Sequence, residues 1–316
     1  MIKGLIQQTI VPFIIAVAGI FLMGSIPYLL FDMEHILEIQ ALLDSGRLEN
    51  TLFLYQPVQF DYELYWQSIM NTAKGLIHVK DWTYLNEVSW EKPLFPIFQE
   101  VYLNTLLYLG IALLASFIFA IFNTYLIMLL SSRIRRKVKF IFFVIESLPD
   151  LFIIISLQMF VIWFFKKTDI LLFNIVSSFG EEAFLLPLIV LSFLPTIYMT
   201  RYLLLSFEDE YQSLYVELAR GKGLTKTAIL FVHIFRNAYA SFVYHYKTIF
   251  WFTLSNLVII EIVLNVNGLL RFIWTNCARN PELLTLSLLC IFVPFFLVLK
   301  IMELFAKKNS IQGVVE

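Results

Sequence analysis

The sequence predicts an all-α integral membrane protein with six spanning helices and an external segment between the first two. Three observations carry that prediction. Charge is scarce: 23 basic and 24 acidic side chains make up 15% of 316 residues, where a soluble domain carries about 25%. Apolar residues reach 59%, with 32 Phe and a mean hydropathy of +0.79. Apolar runs recur at the length a bilayer demands, about 20 residues, and the short alternating segments of a β-barrel are absent. These features exclude a soluble globular protein, a disordered chain and a nucleic-acid binder. A net charge of −1 points to no polyelectrolyte partner. Cys277 and Cys290 form no disulfide framework and are read as free thiols. The wealth of Phe and Ile with only 11 Gly hints at an AT-rich coding genome of a low-GC bacterium.

The first predicted span covers residues 9–31. Lys3 supplies a basic start, but the apolar run exceeds a secretory h-region and no small-residue cleavage site follows, so it reads as an uncleaved anchor. Residues 1–31 thus form a start and first span, and 32–100 an external segment with Trp66, Trp82 and Trp90. That segment is either an interfacial aromatic belt or a docking surface. The Pro-bearing stretch 91–98 marks re-entry into the bilayer. Five further spans are predicted at 101–130, 140–165, 184–205, 240–263 and 283–305, forming a core over 101–308 with a short tail at 309–316. Arg133, Arg135, Arg136, Lys137 and Lys139 follow the second span. Arg220, Lys222, Lys226 and Arg236 follow the fourth, and Lys307 and Lys308 the sixth. The opposite short loops hold only Lys166, Lys167, Arg271 and Arg279. Positive residues stay inside, so both termini are expected in the cytoplasm of a bacterial cell membrane.

The loop at 207–238, FEDEYQSLYVELARGKGLTKTAILFVHIFRNA, differs from the rest. It mixes acids, bases and apolar residues on the cytoplasmic side. A helix is predicted over 212–220, stopping at Gly221 or Gly223, both suited to a helix C-terminus. A second helix starts after Thr225 as N-cap and runs into the fifth span. Tyr215, Leu218 and Ala219 fall three and four residues apart and share a face. Such a helix either inserts into a groove on a soluble partner or lies on the bilayer.

YVELARGKGL (215–224) followed by HIFRNA (233–238) resembles the cytoplasmic coupling motif of binding-protein-dependent ABC permeases, here Glu217-Leu218-Ala219 and then Gly223. The spacing of Arg220, Lys222, Gly223 and Leu224 to His233, Arg236 and Asn237 is most similar to the oligopeptide/dipeptide/nickel subfamily. SLPDLFIIISL (147–157), the span containing Tyr198 and Arg201, and IEIVLNVNGLL (260–270) with Glu261, Gly268 and Leu269 extend the likeness. It runs from about residue 93 to the C-terminus, and loosely over the first span. The family's Pro-Gly-Asp-Pro after the first span is reduced to Pro27. Asn267 stands for a Pro and Leu270 for a Gly, and the spans are Phe-rich where the family's are rich in Ala and Gly.

The resemblance implies a type I ABC importer permease fold, with two permease subunits, usually non-identical, forming the pore. It implies two cytoplasmic ATP-binding subunits that hold ATP and Mg, so no cofactor is expected on this chain, and an external solute-binding protein that delivers a peptide or similar small solute. Tyr215, Val216, Leu218 and Ala219 would pack on the ATPase, Arg220 and Lys222 would meet its surface or lipid phosphates, and Gly223 would make the turn. The chain carries no ATPase of its own: GKGLTKT (221–227) lacks the second Gly of a P-loop. His35, His78, His233 and His245 show no metal-ligand spacing, and an enzyme is not expected.

Charges within spans are functional candidates. Glu146 and Asp150, four apart, are predicted on one face of the third span. Asp150 faces either the pathway or partner permease, or pairs near the cytoplasmic edge, with Arg201 the natural partner of either carboxylate. Glu261 and Lys247 are candidates for a subunit interface. Two other classes compete with the permease reading: an ion-driven secondary transporter, for which inverted repeats and broken helices are not evident, and a membrane scaffold or sensor that transports nothing.

Overall fold

The computed structural model describes residues 2–49, 60–86, 90–177 and 183–312, with side chains described except at 2–8, 239–244 and 304–312. Lys3, Lys307 and Lys308 therefore lie outside the described side chains, and 313–316 outside the described residues. The chain divides into two compact units, 1–104 with 268–300, and 105–267 with 301–316.

The first unit opens with α1 (Ile2–Gly24). Where the sequence predicts one span to residue 31, the helix stops at Gly24 and α2 (Ile26–Leu30) begins with Pro27 in its first turn. The pyrrolidine ring cannot continue a helix but suits the first turn of a new one. Gly24 also passes close to another helix, since a Cβ there would lie 1.9 Å from Thr285 Oγ1. The segment 32–100, predicted to be external, contains regular structure in its described residues. It holds α3 (Met33–Asp44) and α4 (Tyr62–Gly75), each N-capped by an aspartate, Asp32 accepting from the His35 amide and Asp61 from the Leu64 amide at 2.9 Å. A short hairpin pairs β1 (Thr83–Leu85) antiparallel with β2 (Glu91–Pro93).

α5 (Ile97–Leu129) starts here, and α12 (Leu269–Asn276) and the first part of α13 (Pro281–Gln312) close the unit. Tyr84 meets Phe272 edge-on. Asn280 accepts from the Leu85 amide and donates to the Leu85 carbonyl, each at 2.8 Å. Arg279 reaches both carboxylate oxygens of Asp44, and Tyr28 donates to Glu282.

The second unit contains the rest of α5, then α6 (Ser132–Glu146), α7 (Asp150–Thr168), α8 (Leu185–Tyr211), α9 (Leu214–Gly221), α10 (Lys226–Ala228), a π-helical turn at Ile229–Ile234 and α11 (Phe235–Val263). The closest pair is α8 with α11, buried around Met199, Leu203, Leu257 and Ile260. α5 packs on α8 through small hydroxyls, with Ser116 Oγ donating to the Ser192 carbonyl at 2.9 Å and Thr124 Oγ1 to that of Thr200 at 3.4 Å. Small polar residues permit such close approach where no hydrophobic force distinguishes helix from lipid.

Among the described residues five helices are long and apolar enough to cross a membrane: α5, α7, α8, residues 245–263 of α11 and residues 281–303 of α13. The first of the six predicted spans is not among them: the apolar part of α1, Thr9–Gly24, is shorter than a span requires. The predicted third span, 140–165, is corrected. Ser147-Leu148-Pro149 separates α6 from α7, because Pro149 cannot supply an amide to the helix ladder and drives the residue before it out of helical geometry. Glu146 ends one helix and Asp150 begins the next, so they do not share a face of one span.

Candidate functional site

The segment 207–238 is helical almost throughout. α8 continues past its predicted end at 205 to Tyr211. Only Gln212-Ser213 separates it from α9, whose observed start at Leu214 is two residues later than predicted. The chain then turns through Lys222–Thr225. As expected, Thr225 caps the second helix, its Oγ1 accepting from the Ala228 amide. That helix passes through the π turn, which contains His233, into α11. A π turn inserts one extra residue into the helical ladder and often marks a functional position.

Of the two glycines offered as the stop, Gly223 makes the turn. Its φ is +79°, its amide donates to the Arg220 carbonyl at 2.9 Å, and the Leu224 amide reaches back to Ala219. A Cβ at Gly223 or at Gly221 would meet nothing within 4 Å, so any cost is conformational, not steric. We expect Gly223→Ala to destabilise the segment by about 1–2 kcal/mol, the cost of a left-handed side-chain residue. Gly221→Ala, inside the helix, should be neutral or stabilise by about 0.5 kcal/mol. Thermal unfolding of the two purified variants separates them, and equal shifts would contradict the assignment.

The faces of α9 differ from the predicted one. Val216 is fully buried and Ala219 is 5% exposed. Both turn inward on the side where α9 packs against the π turn, so Ala219 permits close approach within the chain. Leu218 is 62% exposed and Leu214 82%. Four residues apart, these two stand on one outward face, and Leu218 does not share the buried face of Ala219. Glu217, Lys222 and Leu224 are exposed. Arg220 folds back over the Tyr211 ring, 4.2 Å from its centroid, and Arg236 is exposed.

Glu210 is the organising group that the sequence reading lacks. Its Oε2 accepts from Tyr215 Oη at 2.6 Å and from Asn237 Nδ2 at 3.4 Å, joining the end of α8, α9 and the start of α11. Burial, with that hydrogen bond, pushes the Tyr215 phenol well above its ordinary value. The available signal is the acid run EDE at 208–210, in the last turn of α8 with three residues between it and the short helix. Its first member, Glu208, accepts from Lys139 and lies 3.9 Å from Arg135.

The intramembrane candidates resolve separately. Arg201 pairs with Glu146, whose side chain is 7% exposed against 47% for Arg201. Asp150 lies within electrostatic reach of Tyr198, as do Glu146 and Arg201. The structure thus brings these four residues together, although the two carboxylates come from different helices. Glu261, a candidate for the pathway, for pairing within the membrane or for a subunit interface, has a partner inside the chain. It is fully buried and accepts from Thr105 Oγ1 at 2.6 Å. Lys247 is exposed. Among the described residues no group of three His, Cys, Asp or Glu side chains is placed to hold a metal ion.

No curated protein matches the chain. Residues 112–309 match the family model for the inner membrane component of binding-protein-dependent transport systems. The matched stretch runs from within α5 into α13 and takes in both the 207–238 segment and the charged cluster around Arg201. Since it covers well over half of the 316 residues on an all-α membrane fold, the chain belongs to the family of binding-protein-dependent transport system inner membrane components.

Proposed function

We propose that the chain is one of two permease subunits of an ATP-driven importer of the oligopeptide/dipeptide/nickel kind. It sits in a bacterial cell membrane with both termini in the cytoplasm and pairs with a related, non-identical permease. It passes a peptide or similar small solute delivered by an external solute-binding protein. Two separate subunits bind ATP with Mg and hydrolyse it.

The observation that supports this reading is α9: a two-turn helix anchored by Val216 and Ala219, with Leu214 and Leu218 facing outward. An apolar pair projecting from a helix fixed at its back suits a groove on a soluble partner. Movement of that partner would pull on α9, and Glu210 would pass the pull to α8 and α11 through Tyr215 and Asn237. Arg220, Lys222 and Gly223 shape the same turn.

The test is reconstitution. The chain should co-purify with two P-loop ATPases, and solute uptake should cease when the P-loop lysine of those ATPases is replaced. Uptake that instead collapses with an ionophore would make the protein a secondary transporter. Assembly with ATPases but no uptake under any condition would make it a scaffold.

A further inference from the structure

We propose that α6 and the groove where it meets α7 form a binding site for an anionic phospholipid, with the phosphate on Arg133, Arg136 and Lys137 and an acyl chain in the groove. The argument begins with how α6 is held. Its half-buried residues are Arg135, Val138, Lys139, Phe142, Ile145 and Glu146, the spacing of a single helix stripe. That stripe faces α8 through two reciprocal ion pairs, Lys139 to Glu208 and Glu146 to Arg201. The partners lie seven residues apart on each helix and in opposite order, so α6 is clasped antiparallel to α8 over two turns.

The clasp consumes Arg135 and Lys139 but not the other cations. Arg133, Arg136 and Lys137 lie on the outward face, and among the described residues none of them takes part in an ion pair. The same face turns apolar in the following turns, where Phe140, Ile141, Phe143 and Val144 are all exposed. One surface thus passes from basic to apolar along the helix axis. A protein partner requires no such gradient, whereas a leaflet has it: a headgroup layer about 5–7 Å deep over hydrocarbon.

A groove lies beside the apolar end of this surface, next to the stripe that faces α8. A cavity of about 250 Å³ lies at the α6–α7 break, lined by Ile145, Leu148, Phe152, Ile153, Leu157 and, from α8, Phe193. Ser156 is the one polar residue of the lining. From Lys137 to Ile145 is eight residues, about 12 Å along a helix, enough to lead from the phosphate layer into the hydrocarbon. The cations therefore meet the headgroup while the groove takes the chain below it. The groove lies where Pro149 separates α6 from α7.

The experiment uses the full chain purified in a zwitterionic detergent, with phosphatidylglycerol and phosphatidylcholine of identical acyl chains as probes. Bound lipid is counted by native mass spectrometry and apparent Kd is read from titration. Phosphatidylglycerol should be retained in preference to phosphatidylcholine. The triple variant Arg133→Gln, Arg136→Gln, Lys137→Gln should weaken phosphatidylglycerol binding by about fivefold per charge removed. Ser156→Trp, which fills the groove, should weaken it with the cations intact. Lys166→Gln with Lys167→Gln, at the far end of α7, should leave binding unchanged, as a control for general loss of charge. Equal retention of the two lipids would overturn the proposal, as would an unaltered Kd in the triple variant. So would stabilisation by inorganic phosphate equal to that by phosphatidylglycerol, or a lipid-free dimer occupying this face.

Discussion

Replacing both Leu214 and Leu218 by Asp should reduce ATP-driven solute uptake by at least tenfold while the protein still inserts and folds. Both side chains point away from the chain, at 82% and 62% exposure, so their removal leaves the intramolecular packing of α9 untouched. Apolar anchors at the centre of an interface commonly carry about 1–2 kcal/mol each or more, and a carboxylate in an apolar groove adds a desolvation cost. The measurement pairs uptake with ATP hydrolysis in proteoliposomes. Uptake should fall further than hydrolysis if the helix transmits motion, and both should fall together if the ATPases dissociate. Uptake at the wild-type rate would contradict the docking role of α9.

The contrast with Ala219→Trp is informative. From the sequence, Ala219 is a small residue on the docking face, and a bulky replacement would block the partner. In the structure Ala219 packs against the π turn. An indole there would overpack the interior, at a typical cost of about 1–3 kcal/mol or more, and would show lowered thermal stability before any question of docking arises. Gly223→Pro likewise breaks the turn itself, since proline cannot adopt the positive φ of +79° seen there.

The second large effect concerns the clasp between α6 and α8. Arg201→Glu should destabilise the second unit by about 2–3 kcal/mol, because it leaves the buried carboxylate of Glu146 facing another carboxylate. The half-exposed position of Arg201 keeps the loss below that of a fully buried pair. Adding Glu146→Arg should restore much of it, giving a coupling of about 1–3 kcal/mol in a double-mutant cycle read by thermal unfolding. Additive losses would mean that the pair does not hold the helices. Asp150→Asn provides the comparison. Asp150 has no share in the clasp, so a loss of uptake without a loss of stability would place it on the solute pathway, and no change in either would make it a carboxylate of the cytoplasmic edge.

Much of this was legible in the sequence because bilayer physics is local. An apolar stretch of about 20 residues must span, and its backbone must bond to itself as a helix, so α5, α7, α8, α11 and α13 could be placed to within a few residues at most of their ends. The coupling segment was legible for a similar reason: Thr225 as a cap and a glycine as a stop are properties of short windows. Even there, the choice between Gly221 and Gly223 depended on which residue takes a positive φ, and both satisfy the same compositional signal.

What composition and spacing determined alone was the membrane class, the approximate spans, and a short amphipathic helix ahead of the fifth span. Only the tertiary structure decided which face of that helix is already occupied. It turned Leu218 outward and Ala219 inward, gave Glu210 its three-way role, drew Glu261 into the interior against Thr105, and separated Glu146 from Asp150 at Pro149 while joining Glu146 to Arg201. Helical periodicity states which residues share a face, but not what that face meets. The neighbour is set by packing between segments far apart in the chain, where one buried carboxylate and the cation that must accompany it lie 55 residues apart.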